Sequence, residues 1–438
     1  MIEKLKEVIL DYQEVNLDKG SERDLEVSSI PNAATVILGV RRSGKSTLVY
    51  QRIAELLDIG VKRENILLLN FFDDRLQGLN ITEPRVIIEA YFSLYPDKKG
   101  TEDVYCFFDE IQELSNWEPF VDRIMRMERC KVCITGSSAK LLSEEVATQM
   151  RGRQLTHELF PFSFKEFMTH LGHEIPTRIS EKSRLRLSKG FEDYWEAGGF
   201  PAVATVTPRE RVTMHQDYFN TALSRDVIER HKVKHPVALK FLARWFIDNI
   251  GSSYSGNKLF NTLRSQGHRL TRPDVGNYIE HLIDAFFFFS VRKFDASLSK
   301  SVGADPKMYC IDAALVTSTS TRILANIGNR LENIIFLALR RVTEQIFYFK
   351  SSNNYECDFV SILSGSREKK LIQVTERIDE ESTREREIRG LRAAMKELSI
   401  NLGYIVTRSH YEELKVEEGT INILPAWKFL LMCDEWRP

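Results

Sequence analysis

The sequence predicts an α/β protein, with a parallel sheet built around a glycine-rich loop, then a helical stretch, then a second region of mixed strands and helices. Three observations predict it. Over the first 165 residues short apolar runs alternate with amphipathic stretches; a glycine-rich loop joins one of those runs to a helix-forming segment; and the alternation resumes near Lys307.

Composition narrows the class. The 438 residues suggest about three domains at roughly 100–200 residues each. With 43% hydrophobic and 28% charged residues, collagen-like, low-complexity and disordered chains are excluded. The net charge of -1 removes any global polyelectrolyte argument. No run reaches the ~18 apolar residues of a membrane helix, so no membrane association is expected. The opening MIEKLKEVIL is an amphipathic charged helix without the apolar core of a secretory signal. Six cysteines are too sparse for a disulfide scaffold, which points to a reducing, cytoplasmic setting.

Candidate strands of the first region are 35–38, 65–72, 104–108, 131–135 and 154–159, with helical periods between them. After Pro161 the chain reads as helices to about Asn249, broken at 197–201 by AGGFP. The stretch 255–294 reads helix, turn, helix, apolar strand. Beyond it come strands at 307–311, 345–349, 355–363, 371–375 and 402–407, with helices at 330–341 and 380–398.

Gly39-Val40-Arg41-Arg42-Ser43-Gly44-Lys45-Ser46 fits G-x-x-x-x-G-K-[ST] after a strand and before a helix. Its glycines let backbone N–H groups turn inward around phosphates, and the helix N-terminus adds partial positive charge. Gly39, Arg42, Ser43, Gly44, Lys45, Ser46 and Thr47 are therefore the candidate ATP-binding residues, with Lys45 at the β/γ-phosphates and Ser46 on Mg2+. The run 104–110 ends in Asp109 and Glu110: Asp109 is the second candidate Mg2+ residue and Glu110 the candidate general base. KVCITGSS at 131–138 ends a strand in hydroxyls, so Ser137 or Ser138 is expected near the γ-phosphate. Cys130 and Cys133 have no second pair nearby and are not read as a zinc site. Arg153, in Arg151-Gly152-Arg153, is the candidate arginine that stabilises transition-state charge on a neighbouring subunit's nucleotide.

GVRRSGKST, FFDEIQ, ITGSSAKLLS, MRGRQ and ELFPFSFKEF, in that order and spacing, resemble a bacterial and archaeal family of AAA+ ATPases. The resemblance runs along the whole chain. It implies an N-terminal helical segment (1–28), an AAA+ P-loop core (29–165), a helical lid with a GGFP-type turn (166–235), a winged helix (236–298) and a restriction-endonuclease-like domain (299–438). It also implies that Lys45 and Ser46 belong to the Walker A motif, Asp109 and Glu110 to the Walker B, Ser137 to the sensor-1 region, and Arg153 to the Gly-Arg before the last core strand.

Charge is uneven along the chain. Between Arg225 and Lys300 stand 13 Lys+Arg against 7 Asp+Glu, a basic middle in an otherwise acidic protein. Thr271 and Asp274 have capping-box spacing, and Val275, Tyr278, Ile279 and Leu282 recur with helical period. Arg272, Asn277 and His281 are left for solvent or a groove, flanked by Lys258, Arg264, Arg269 and, on the expected wing strand, Arg292 and Lys293. The segment either contacts DNA or packs on a neighbouring surface. In the last region Glu332, Asp358 and the run 371–375 follow the PD-(D/E)xK pattern, but Gln373 and Thr375 stand where the second acid and the lysine belong. A catalytically silent binding fold is expected there.

The leading expectation is an oligomeric ATPase, in a ring of the hexameric kind, coupling Mg-ATP hydrolysis to action on DNA, including branched DNA. An ATP-gated switch docking a protein partner through its C-terminal domain is the alternative, and an ATP-dependent nuclease comes third.

Overall fold

Ala34–Leu38 (β1) is apolar on both faces and buried throughout, as a strand covered on both sides of a parallel sheet must be. Around it the computed structural model, which describes residues 1–28, 30, 32–139, 144–295, 297, 301, 303–320 and 327–437, folds the chain into two compact units, Met1–Phe160 and Pro161–Pro438.

In the first unit α1 (Ile2–Glu14) precedes β1, and the rest follows as α2 (Lys45–Asp58), β2 (Ile66–Asn70), α3 (Asp74–Gln77), α4 (Arg85–Leu94), β3 (Val104–Asp109), α5 (Trp117–Met127), β4 (Cys130–Gly136), α6 (Glu144–Gln149) and β5 (Gln154–Glu158). The five strands form one parallel sheet in the order β2-β3-β4-β1-β5, so the α/β class and its parallel sheet are as expected. The strand expected over 65–72 is shorter because residues 63–65 close a 3-10 turn before it. Ile37, Leu48, Val49, Ile53, Ile66, Leu68, Phe107 and Leu159 make a continuous core between α2 and the sheet. Residues 140–143 of the ITGSSAKLLS motif, and the expected domain boundary at 298/299, lie outside the described residues.

The second unit begins with α7 (Phe164–His170), α8 (Glu181–Ala197), α9 (Pro208–Thr221), α10 (Pro236–Asp248), α11 (Gly256–Ser265) and α12 (Arg272–Asp284). Ser163 with Glu166, Thr207 with Glu210 and Thr271 with Asp274 each close a capping box. The AGGFP break is a docking turn. Gly198 has φ +72, Gly199 N–H donates to Asp312 Oδ2 at 2.6 Å, and a Cβ on Gly198 would lie 2.4 Å from the Asp312 carboxylate.

The remaining elements are β6 (Phe288–Lys293), β7 (Lys307–Cys310), α13 (Ala313–Thr319), α14 (Ile327–Arg340), β8 (Ile346–Lys350), β9 (Glu356–Ile362), β10 (Lys369–Val374), α15 (Glu381–Leu398), β11 (Leu402–Thr407), β12 (Glu412–Val416), β13 (Gly419–Pro425) and α16 (Ala426–Asp434). Their strands form an eight-stranded mixed sheet, β12-β13-β11-β10-β9-β8-β6-β7. β6, read as a wing strand, pairs antiparallel with β7 and places Arg292 and Lys293 opposite Phe347 and Tyr348 of β8. Its phenylalanines are buried, so the strand needs the cover of a full sheet.

Candidate functional site

The parallel order brings the C-terminal tips of β1, β3 and β4 to one sheet edge, with the loop after β1 turning into α2. Ligands of open parallel sheets bind at that edge. Gly39 is required by close approach: a Cβ there would stand 2.1 Å from the carbonyl oxygen of Leu159. Gly44 caps α2 in the left-handed region, leaving the first N–H groups of a 14-residue helix aimed at the loop. From the N-terminal segment, Arg23 donates to the carbonyls of Ser43 and Phe160, both at 2.7 Å, and so ties the loop to the end of the first unit.

Lys45 is buried. Its Nζ donates to the carbonyls of Gly39 (3.1 Å) and Val40 (3.3 Å) and pairs with Glu110 Oε1 at 3.2 Å. Ser46 Oγ donates to Asp109 Oδ2 at 2.6 Å, and Thr135 Oγ1 donates to Asp109 Oδ1. Thr135 also accepts the Glu110 N–H at 3.0 Å. Burial pushes the Asp109 carboxyl up, against the hydrogen bonds of Ser46 and Thr135. Burial also opposes ionisation of Glu110, yet the Lys45 ammonium, the Gln112 amide and Arg41 together hold its carboxyl below the usual range.

The residues fit a magnesium nucleotide. A hydroxyl and a carboxylate stand side by side as hard oxygen donors, Lys45 supplies positive charge, and Ser43 Oγ is buried with no hydrogen-bond partner among the described residues. Lys45, Ser46, Asp109, Glu110 and the buried Ser137 thus meet at one edge; Thr47 is half-buried on α2 and Arg42, at φ +70, is exposed.

Arg153 lies elsewhere. β5 pairs with β1 from Ala34 opposite Gln154 to Leu38 opposite Glu158, so Arg153 stands at the opposite edge from Gly39, about 20 Å away along the strand at ~3.3 Å per residue. There its Nη1 is 3.6 Å from Asp122, a buried carboxylate that also pairs with Arg126 at 3.0 Å.

Two clusters lie in the second unit. A cleft of about 710 Å³ is lined by Lys234, His235, Arg264, His268 and Arg269 together with Thr271 and Asp274. The Asp274 carboxylate is committed to the cap, accepting from the N–H and hydroxyl of Thr271, both at 2.7 Å. Arg272 and Asn277 are exposed beside it, but His281 is not available to a groove, because its ring stacks on His231 at 3.8 Å. The other cluster gathers Glu332 and Asp358, as the sequence expects, around a lysine that it does not: Lys307 Nζ lies 3.1 Å from Glu332, 2.8 Å from Glu356 and 3.6 Å from Asp358.

Sequence reasoning therefore missed Thr135, Gln112, Arg23 and Lys307. The parallel register of β3 on β4, which sets Phe108 against Ile134, was the available signal for Thr135; the others depend on turns and long-range packing.

The profile of an AAA domain matches residues 31–168, and that of a domain of unknown function (DUF8612) matches residues 188–324. An uncharacterised protein of Methanocaldococcus jannaschii, MJ1544, is 33% identical over 446 residues, spanning 98% of this chain and 96% of its own. An uncharacterised protein of Haemophilus influenzae is 29% identical, over 90% of this chain and 93% of its own. Among solved structures, the Aeropyrum pernix ORC1 protein in complex with DNA is 12% identical and covers 72% of this chain and 91% of its own, with a TM-score of 0.32. Likeness that slight says nothing about ligand or assembly. No helix among the described residues is long and apolar enough to cross a membrane.

Proposed function

This chain belongs to the family of the Methanocaldococcus jannaschii protein MJ1544, and on the strength of its AAA domain we propose that it is an ATP hydrolase coupling Mg-ATP turnover to action on DNA. The observation that carries the reading is the meeting of Lys45, Ser46, Asp109 and Glu110 at one sheet edge.

In this reading the backbone of 39–44 cradles the phosphates, with the Ser43 hydroxyl, Arg42 and Thr47 around them. Ser46 and Asp109 would hold Mg2+, which neutralises phosphate charge when bound. A bound triphosphate competes with Glu110 for Lys45, and a carboxylate that loses its ammonium partner becomes a stronger base. Glu110 then accepts a proton from the attacking water, and Ser137 bounds that space. Arg153 faces away from its own loop, which supports a homo-oligomer, a hexameric ring among them, in which it completes a neighbour's site.

The DNA part rests on the basic cleft. Lys234, Arg264 and Arg269 have no ion-pair partner among the described residues, and phosphate contacts from such groups dominate nucleic-acid affinity. The pairing of Lys45 with Glu110 favours a second reading, the ATP-gated switch with slow turnover and a protein docked on the C-terminal domain. That domain we read as a restriction-endonuclease-like fold silenced by Lys307, which fills the space between its carboxylates.

Steady-state ATP hydrolysis by the wild type and Glu110→Gln, without DNA and with single-stranded, duplex and branched DNA at two salt concentrations, tests these statements. Glu110→Gln should turn over about 10²–10⁴-fold more slowly while still binding ATP. Stimulation by one DNA form that weakens with salt supports the DNA role. Equal rates for wild type and variant would sink the ATPase; a rate and a binding signal indifferent to every DNA at low salt would leave the switch.

A further inference from the structure

Glu110 has left-handed backbone at φ 54 and starts a one-turn 3-10 helix, Ile111–Glu113. That reversal folds the Gln112 side chain back over the Glu110 carboxylate. Gln112 Nε2 donates to Glu110 Oε2 at 2.6 Å and lies 3.5 Å from Ser137 Oγ, at the long end of a hydrogen bond. A carboxylate only accepts, so the nitrogen must face Glu110 and the amide oxygen is aimed elsewhere. That oxygen, Oε1, is buried and has no hydrogen-bond partner among the described residues. An acceptor held dry without a donor is unfavourable, and the O–H of a water held against the Glu110 carboxylate would satisfy it.

We propose that Gln112 is a positioning residue for hydrolysis at this site: its Oε1 accepts one O–H of the attacking water while its Nε2 fixes the Glu110 carboxylate that takes the other proton. The inference rests on the ATPase reading. The step balances without any further reactant. The water oxygen bonds to the γ-phosphorus as its proton passes to Glu110. The bond from that phosphorus to the β-phosphate oxygen breaks, and ADP leaves with the electron pair. Ser137 beside the same amide links the glutamine to the tip of β4, so base, acceptor and hydroxyl are held as one group. A glutamine can align a water without being a base itself, because its oxygen has lone pairs but little basicity.

The test compares wild type, Gln112→Leu, Glu110→Gln and the double variant Glu110→Gln with Gln112→Leu. Hydrolysis is followed across pH, and binding of a non-hydrolysable ATP analogue with Mg2+ is measured separately. Leucine keeps the bulk and removes both polar atoms. The expected result for Gln112→Leu is a kcat lower by about 10²-fold with KM and analogue affinity within about threefold, since only the arrangement of the transition state is lost. The acid limb of kcat should move to higher pH, because Glu110 loses a donor that stabilises its charged form. The double variant should be no slower than Glu110→Gln, since both changes disable one unit.

Gln112→Leu turning over within about threefold of a hydrolysing wild type overturns the inference and leaves the ATPase reading standing. Parallel loss of kcat, analogue binding and melting temperature also overturns it, as a purely structural role. A wild type that binds the analogue but hydrolyses nothing overturns both together.

Discussion

Two buried lysines, Lys45 and Lys307, each stand among carboxylates at the strands of an α/β sheet, and the contrast between them separates a site for chemistry from a structural knot. Around Lys45 the polar groups are incompletely matched: Ser43 Oγ and Gln112 Oε1 are buried without partners among the described residues. Around Lys307 every group is engaged. Glu332 Oε1 accepts from Lys307 and from the Tyr309 hydroxyl at 2.6 Å, and Asp358 Oδ2 accepts the Val374 N–H at 2.8 Å. Gln373, where a nuclease-type acid would stand, accepts the Asp358 N–H at 3.2 Å and donates to Glu387 at 2.6 Å. A buried polar atom left unpaired by the fold leaves room for a water, an ion or a ligand to supply its partner. The first cluster therefore has room for the nucleotide and water of the proposed function, and the second supplies its own cation.

The largest effect that would break this contrast is on stability. Lys307→Met removes the ammonium that, among the described residues, alone pairs with the carboxyl groups of Glu332, Glu356 and Asp358, and should cost about 3–5 kcal/mol, the penalty of leaving the buried Glu332 charge uncompensated. Chemical denaturation, with hydrogen exchange read on β7 and β9, measures it. A variant as stable as the wild type would mean that the carboxylates do not depend on the lysine.

What the sequence revealed follows the same division. Lys45, Ser46, Asp109 and Glu110 were legible because each is fixed by its neighbours in the chain: a glycine loop opening a helix, and two acids ending an apolar strand. Gln112 is legible only as part of FFDEIQ, since its place over Glu110 depends on the left-handed turn at Glu110, which no pattern announces. Lys307 escaped because the nuclease-type pattern looks for lysine at position 375, whereas this one reaches the carboxylates from β7 by pairing of distant strands. β12 and β13 escaped too, because EELKVEEG reads by charge as a solvated face, and only pairing with β11 makes a strand of Gly419–Pro425. β6 is legible as a strand, but its pairing with β8 is not, because a strand's partners are not written in its own residues.

A smaller effect sharpens the comparison between the two bridging glutamines. Gln373→Leu leaves the Asp358 N–H and one Glu387 oxygen without partners in a buried place and should destabilise by about 1–3 kcal/mol. Gln112→Leu strands one carboxylate oxygen but also removes an amide oxygen that already lacks a partner, so its stability cost should be the lesser while its activity cost is large. Denaturation midpoints of the two variants decide the order; a reversed order would mean that Gln112 is the structural one.

The smallest effect is a difference in sign with pH. Burial, reinforced by the nearby Glu332 charge, raises the Asp358 carboxyl well above its ordinary value despite Lys307. A group raised in the folded state favours folding below its unfolded pKa, and that contribution is lost as pH rises through the folded value. Glu110 is the opposite case: burial opposes its charge, Lys45 prevails, and its contribution is present above the unfolded pKa and lost as pH falls through the lowered one. Relative to Asp358→Asn, the wild type should therefore lose stability as pH climbs from about 4, the ordinary aspartate value. Relative to Glu110→Gln it should gain stability as pH climbs toward the ordinary glutamate value. Each slope is bounded by about 1.4 kcal/mol per pH unit for a single proton. Hydrogen exchange on β9 for the first pair and on β3 for the second reads them separately. Slopes of the same sign would show that Lys45 and Lys307 act on their carboxylates alike, and the distinction between a cluster open to a ligand and one closed on itself would have to rest on the unpaired atoms alone.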